Sequence, residues 1–268
     1  MTIALSVLAA LLLLLSVYVF IKIKKGAVKA LLPALCALML VLCGILLYFS
    51  GCYRAADDAK ALLPETKLEL NGLSRAWFFD GPGEDAALVF YPGAKVEAAA
   101  YAPLMKRLAD GGLDCFLVEM PLHFALFDIG AASKVTEAYE YPSWFLAGHS
   151  LGGVAASMYT AEHPDKAAGL VLLASYPNGE PGDLPLLSIY GDRDGVLNRK
   201  SYEKSRSLWP EDAEELVIPG GNHAGFGNYG PQRGDGEASI SPDEQQKQTA
   251  EAILSWIQTH IAEGNEAA

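Results

Sequence analysis

Apolar residues along this chain fall into two regimes. From Ile3 to Ile21 they run without a charged side chain, and a second uncharged run extends from Ala30 to Tyr53. Beyond residue 66 the runs become short and regular. Lys67–Leu70 and Leu73–Phe79, with Asn71-Gly72 between them, predict a β-hairpin closed by a tight turn. Ala86–Tyr91, Leu113–Glu119, Ser143–Ala147, Gly169–Ala174, Leu186–Tyr190 and Leu216–Ile218 predict further strands, most of them apolar throughout. Between these, apolar residues recur at helical spacing over 97–110, within 121–140, from Gly153 to near His163, and over 243–262. Apolar strands alternating with helices predict an α/β fold: a mostly parallel sheet with helices on both faces. Ligands in such sheets bind at the carboxyl ends of the strands.

The two front runs are each long enough to cross a bilayer at about 1.5 Å per residue. Four lysines, Lys22, Lys24, Lys25 and Lys29, sit between them. Short lysine-rich loops stay in the cytoplasm, so the expected topology is a hairpin with both outer ends on the far side. The expected layout is a two-span transmembrane hairpin at 1–52, a juxtamembrane linker at 53–66, the α/β domain at 67–262 and a tail at 263–268. The expected location is the cell membrane, multi-pass, anchored through residues 3–50 with the large domain extracytoplasmic. A cleaved signal peptide fits poorly, because the first run lacks a preceding positive charge and a small-residue cleavage site. Phe49-Ser50-Gly51-Cys52 resembles a bacterial lipobox, with Phe49 where the pattern prefers Leu. Lipidation of Cys52 would also tether the domain outside.

Charge sharpens this division. Hydrophobic residues make up 51% of the chain and mean hydropathy is +0.19, with the excess at the front. All 32 acidic residues lie after residue 53, against 16 of the 20 basic ones. So acidic a body excludes nucleic acid as an expected partner. The four cysteines form neither a disulfide framework nor a C-x-x-C pair, and no Cys/His cluster suggests a metal; no cofactor is expected.

The chemistry centres on Gly148-His149-Ser150-Leu151-Gly152, between an expected strand and an expected helix. Strand, sharp turn, helix is the context in which G-x-S-x-G presents a serine hydroxyl at a strand end. The first free N–H groups of the helix then lie where an oxyanion would form, which points to Leu151 N. A serine needs a base, and the base an orienting carboxylate. Downstream, Asp192 and Asp194 follow one strand and His223 follows the last.

The order Ser150, Asp194, His223 resembles the α/β-hydrolase superfamily. Gly191-x-x-Asp194 matches its acid turn and Gly220-Gly221-Asn222-His223 its histidine turn. Tyr91-Pro-Gly-Ala-Lys-Val96 and the stretch Gly221–Asp235 look more like the small lidless hydrolases related to dienelactone hydrolases. The resemblance covers roughly residues 65–262. It implies Ser150 as nucleophile, His223 as base and Asp194 as the acid that orients it, with Asp192 as the rival acid. It also implies an oxyanion hole from the backbone N–H groups of Leu151 and Ala94. Gly93 would let a substrate approach the backbone closely. His123, Phe226 and Tyr229 are candidate pocket residues.

Other residues read as structural. His149 fills the variable elbow position as packing or polar support, with catalytic tuning as the alternative, and His163 sits at a helix end. His260 is expected to be exposed and the tryptophans to be core; Glu119 reads equally as an ion pair or a site residue. The expected function is a membrane-anchored serine hydrolase cleaving small-molecule carboxylic esters through an acyl-enzyme. Thioester or amide cleavage fits the same residues. Dienelactone hydrolases themselves use a cysteine where this chain has Ser150, which counts against that activity. A non-catalytic extracytoplasmic binding or assembly module on a hydrolase fold is the alternative from another class.

Overall fold

Period-two alternation sends neighbouring side chains of each strand to opposite faces of a sheet, and both faces here are apolar. The computed structural model describes residues 7, 10–15, 17, 18, 27–70 and 74–266. Its strands are β1 (Lys67–Glu69), β2 (Arg75–Phe79), β3 (Ala86–Tyr91), β4 (Asp114–Glu119), β5 (Ser143–His149), β6 (Gly169–Leu173), β7 (Leu186–Gly191) and β8 (Glu214–Ile218). They form one sheet in the order β1-β2-β4-β3-β5-β6-β7-β8. The β1–β2 and β2–β4 pairs are antiparallel; the remaining pairs are parallel. The turn expected at Asn71-Gly72 lies outside the described residues.

The helices are α1 (Ala27–Ser50), α2 (Asp57–Lys60), α3 (Ala102–Asp110), α4 (Ala131–Ala138), α5 (Leu151–Glu162), α6 (Arg199–Ser205) and α7 (Pro242–Glu266). On one face of the sheet Leu88, Phe90, Phe145, Val171 and Ile189 pack with α3 and α7 residues, among them Leu104, Met105, Ile253 and Trp256. On the other, Val89, Phe116, Leu146 and Leu172 pack with Val135 of α4 and Ala155, Ala156 and Tyr159 of α5. From β3 the chain moves outward to β4 and then back to β5 on the other side. The crevice at that reversal opens at the strands' carboxyl ends.

The chain divides into two compact units, Met1–Cys52 and Tyr53–Ala268. Ten of the nineteen residues of the first expected apolar span, and residues 22–26 of the lysine loop, lie outside the described residues. The second span corresponds to α1, a 24-residue helix with Pro33 inside it. Its side chains are described from Pro33 to Tyr48. Among the described residues no helix is long and apolar enough to cross a membrane.

Residues 53–66, expected as a linker, are docked on the body at their start. Tyr53 pairs with Val96 in a parallel bridge, Ala55 N donates to Glu97 Oε2 at 2.8 Å, and Ala56 N donates to Asn228 O. The helix expected over 97–110 is split: Ala98–Tyr101 is a 3₁₀ turn and the α-helix starts at Ala102, with Pro103 in its first turn. Helix α6 was not expected from the pattern. Trp256 is buried, but Trp77, Trp144 and Trp209 are half-buried. Glu119 forms an ion pair with Lys67 at 3.2 Å. His260 is half-buried against Trp256, with ring centroids 4.4 Å apart.

Candidate active site

The turn after β5 is forced into an uncommon conformation. Ser150 sits at φ 53°, ψ −124°, a region that non-glycine residues avoid and that persists only where surroundings impose it. Here Ser150 N donates to Leu173 O at 2.9 Å, and Ser175 Oγ donates to Ser150 O at 2.7 Å. The flanking glycines allow the turn to close: a Cβ on Gly148 would lie 2.4 Å from Gly152 C, and one on Gly152 would lie 2.1 Å from Tyr91 O. Leu151 opens α5, so its N–H has no carbonyl one turn back. Around the loop after β3, Lys95 N donates to His123 O and Val96 N to Gly93 O. Neither bond uses the Ala94 N–H.

The two carboxylates after β7 are separated by their contacts. Asp194 Oδ2 lies 2.8 Å from His223 Nδ1, and its Oδ1 accepts from Val196 N and Leu197 N, both at 2.8 Å. Burial pushes the Asp194 carboxyl up. The hydrogen bond and charge of His223, with the Leu197 and Val196 amides, outweigh it and hold the group below its ordinary value. Asp192 Oδ1 instead accepts from Gly220 N at 2.8 Å, pinning the turn that leads to the histidine.

His223 is 1% exposed. Its Nδ1 faces Asp194, while its Nε2 is buried with no hydrogen-bond partner among the described residues. His223 Nε2 therefore makes no hydrogen bond to Ser150 in this structure. Both residues nevertheless line one cleft of about 160 Å³, with Leu151, Val154, Ala174, Ser175, Tyr176, Val196, Leu197 and Asn198. A larger cavity of about 480 Å³ lies among Ser143, Trp144 and Ala168. It sits at the amino ends of β5 and β6, the wrong edge for Ser150.

Of the expected pocket residues, none of Gly93, His123, Phe226 and Tyr229 lines the cleft. Gly93 faces the protein's own His149 and Tyr101, which a Cβ would meet at 2.8 and 3.0 Å. His123 is half-buried, and burial pushes its imidazole down. Phe226 is buried against His149, with centroids 5.6 Å apart. Tyr229 is buried too, its hydroxyl donating to Gln232 Oε1 at 3.0 Å. Pattern alone does not tell a ring that lines a cavity from a ring that packs behind it.

Sequence reasoning missed Asp235 as a positioning group. Its carboxylate accepts from Gly195 N at 3.0 Å, His223 N at 3.2 Å and Ala224 N at 2.8 Å. One side chain thus ties the loop of Asp194 to the loop of His223. The only signal was an aspartate inside a glycine-rich loop. Gln245 of α7 adds a second tie, with Oε1 accepting from Asn222 N at 3.0 Å and Nε2 donating to Asn222 O at 2.8 Å.

The family model described as the alpha/beta hydrolase family matches residues 87–247. The chain belongs to this family. Among solved structures, the hydrolase is similar to Est1E from Butyrivibrio proteoclasticus, at 13% identity and TM-score 0.56, covering 74% of this chain and 98% of that one. It is similar to a bacterial membrane phospholipase A, at 14% identity and TM-score 0.57, covering 87% and 99%. It is also similar to a dienelactone hydrolase from Anabaena variabilis, at 16% identity and TM-score 0.53, covering 74% and 97%. At these identities the likeness shows the fold alone. No curated protein matches the hydrolase by sequence.

Proposed function

We propose that this hydrolase is a membrane-anchored serine esterase that cleaves carboxylic esters through an acyl-enzyme. One observation carries the reading: Ser150, held at positive φ in the elbow, shares a cleft with His223, whose Nδ1 rests on Asp194. Ser150 Oγ attacks the ester carbonyl and passes its proton to His223 Nε2, the ring nitrogen left without a partner. Asp194 holds the proton on Nδ1 and stabilises the imidazolium. The Leu151 and Ala94 N–H groups receive the oxyanion. The alcohol leaves with the proton from His223, and water, activated by the same ring, releases the acid. Substrate in the cleft tightens the Ser150–His223 contact, as catalytic hydrogen bonds do in the Michaelis complex.

The cleft is small. About 160 Å³ is below the roughly 300–1,000 Å³ that takes a drug-sized ligand, which favours a short acyl group. Est1E has been solved with ferulic acid, and an aromatic group outside so small a cleft is compatible with this arrangement. Thioesters and amides fit the same residues, with the leaving group as the difference.

The membrane anchor is read from residues 3–21 and 30–50. In α1 the side chains of Leu35, Leu38, Val41, Ile45 and Tyr48 are exposed. Apolar surface continuous over several turns calls for a non-aqueous neighbour, and a bilayer supplies one. The lysines between the two runs support an orientation with the hydrolase outside the cytoplasm.

The deciding experiment is active-site labelling with a fluorophosphonate on the full chain in detergent. Wild type is expected to label and Ser150→Ala to stay blank. An unlabelled wild type, or equal labelling of the two, sinks the hydrolase chemistry and leaves the binding-module alternative.

A further inference from the structure

One hydroxyl joins the residue before Ser150 to the residue before Ala94. Tyr101 Oη accepts from Gly93 N at 3.1 Å and lies 2.7 Å from His149 Nδ1. An amide N–H only donates, so the tyrosine oxygen accepts from Gly93. The second bond joins the same oxygen to His149 Nδ1, and the tautomer of the imidazole sets which of the two donates. Burial, reinforced by neighbouring His223, pushes His149 far below the ordinary imidazole range. Burial pushes the Tyr101 phenol up, so each group stays in the form the bridge requires.

The bridge has little freedom. Tyr101 and His149 are both buried. The Tyr101 ring packs on Phe90 at 5.0 Å between centroids. The His149 ring lies 4.5 Å from that of His223. Gly93 closes the third side, with no room for a Cβ. Removing one partner leaves a polar atom buried this deeply with its full desolvation cost unmet.

We propose that Tyr101 and His149 are positioning residues of the esterase, setting the distance between the loop that carries the Ala94 N–H and the turn that carries Ser150. The proposal rests on Ser150 as nucleophile and on Ala94 N as an oxyanion donor. The loop and the turn leave different strands, β3 and β5, beyond the last ladder pair, Tyr91 with Gly148. Past that point no sheet bond holds them in register. An oxyanion donor works only within about 2.7–3.1 Å of the developing charge. The Gly93–Tyr101–His149 bridge supplies that register and also backs the ring of His223.

The test uses the full chain in detergent with p-nitrophenyl butyrate and the fluorophosphonate as probes. Tyr101→Phe keeps the ring and removes the bridge; kcat is expected to fall about tenfold with KM within twofold. His149→Phe keeps a ring without a hydrogen-bonding nitrogen and should also lower kcat. His149→Asn restores a polar amide near the Nδ1 position, able to accept or donate, and should recover most of kcat. The double variant Tyr101→Phe/His149→Phe should be no worse than Tyr101→Phe alone, since that change already breaks both bonds of the bridge. Wild type that fails to label overturns the hydrolase reading itself. Wild type that labels, with Tyr101→Phe at full kcat, overturns the bridge alone. So do losses that add in the double variant, or His149→Asn as impaired as His149→Phe. If His149→Phe does not fold, Tyr101→Phe and His149→Asn decide by the same criteria.

Discussion

Asp192 and Asp194 stand two residues apart in one turn, yet their surroundings assign them different work. Asp194 faces the imidazole and Asp192 faces a backbone amide. Asp194→Asn is expected to cut kcat at least about a hundredfold, because the imidazole loses the partner that fixes its tautomer. Asp192→Ala should keep kcat within a few-fold and cost about 1 kcal/mol of stability through the lost Gly220 hydrogen bond. Equal losses of kcat in the two variants would reverse the assignment. The depressed Asp194 carboxyl adds a pH signature. A carboxyl lower in the folded than in the unfolded chain stabilises the fold above its unfolded value, about 3.9, and loses that contribution as pH falls through the folded value. Melting curves of wild type and Asp194→Asn should therefore differ most near neutral pH and converge below about pH 4. From sequence the two aspartates were alternatives, because spacing along a strand end does not say which carboxyl faces the neighbouring loop. Ser150 and His223 were legible because a sharp glycine turn and a strand end leave their own marks. Tyr101 and Asp235 left none: a tyrosine in an apolar helix pattern looks like packing, and its hydroxyl acts across the fold.

The central strands were legible as elements because full burial makes them apolar end to end, as all six residues of β3 are. Helix α6 was not, since seven residues with Tyr202 and Ser205 buried carry too little periodicity. Its start is set locally by Asn198, whose side chain accepts from Ser201 N at 3.0 Å, a capping bond. The miss matters, because Val196, Leu197 and Asn198, just ahead of this helix, wall the cleft opposite α5. On the proposed ester chemistry, that wall is what limits the acyl group. Along a p-nitrophenyl series, kcat/KM should peak at acetyl to butyryl and fall for octanoyl and decanoyl esters. Leu197→Ala leaves the backbone amide on Asp194 in place and removes side-chain volume from the wall. It should shift the octanoyl-to-acetyl ratio of kcat/KM upward by about tenfold, the scale of a few methylenes in an apolar pocket. A flat series in wild type, or an unchanged ratio in the variant, would show that this wall does not face the acyl chain.

At the scale of the whole molecule, the charge distribution and the apolar front make one argument. The body is strongly acidic and the only basic residues before residue 53 are the four lysines between the apolar runs. An anionic cytoplasmic leaflet attracts those lysines and repels the body. The proposed arrangement puts each on its favoured side. Two measurements separate the parts of this claim. After alkaline carbonate extraction the full chain should remain with membranes; release into the supernatant would remove the anchor and leave the cleft chemistry untouched. Topology is then read at Ser207, an exposed residue beside α6. Ser207→Cys should react with a membrane-impermeant maleimide in intact cells, above the background from native Cys52 in wild type. Labelling that appears only after lysis would place the esterase in the cytoplasm and reverse the orientation drawn from the lysines. Its substrates would then have to be cytoplasmic esters.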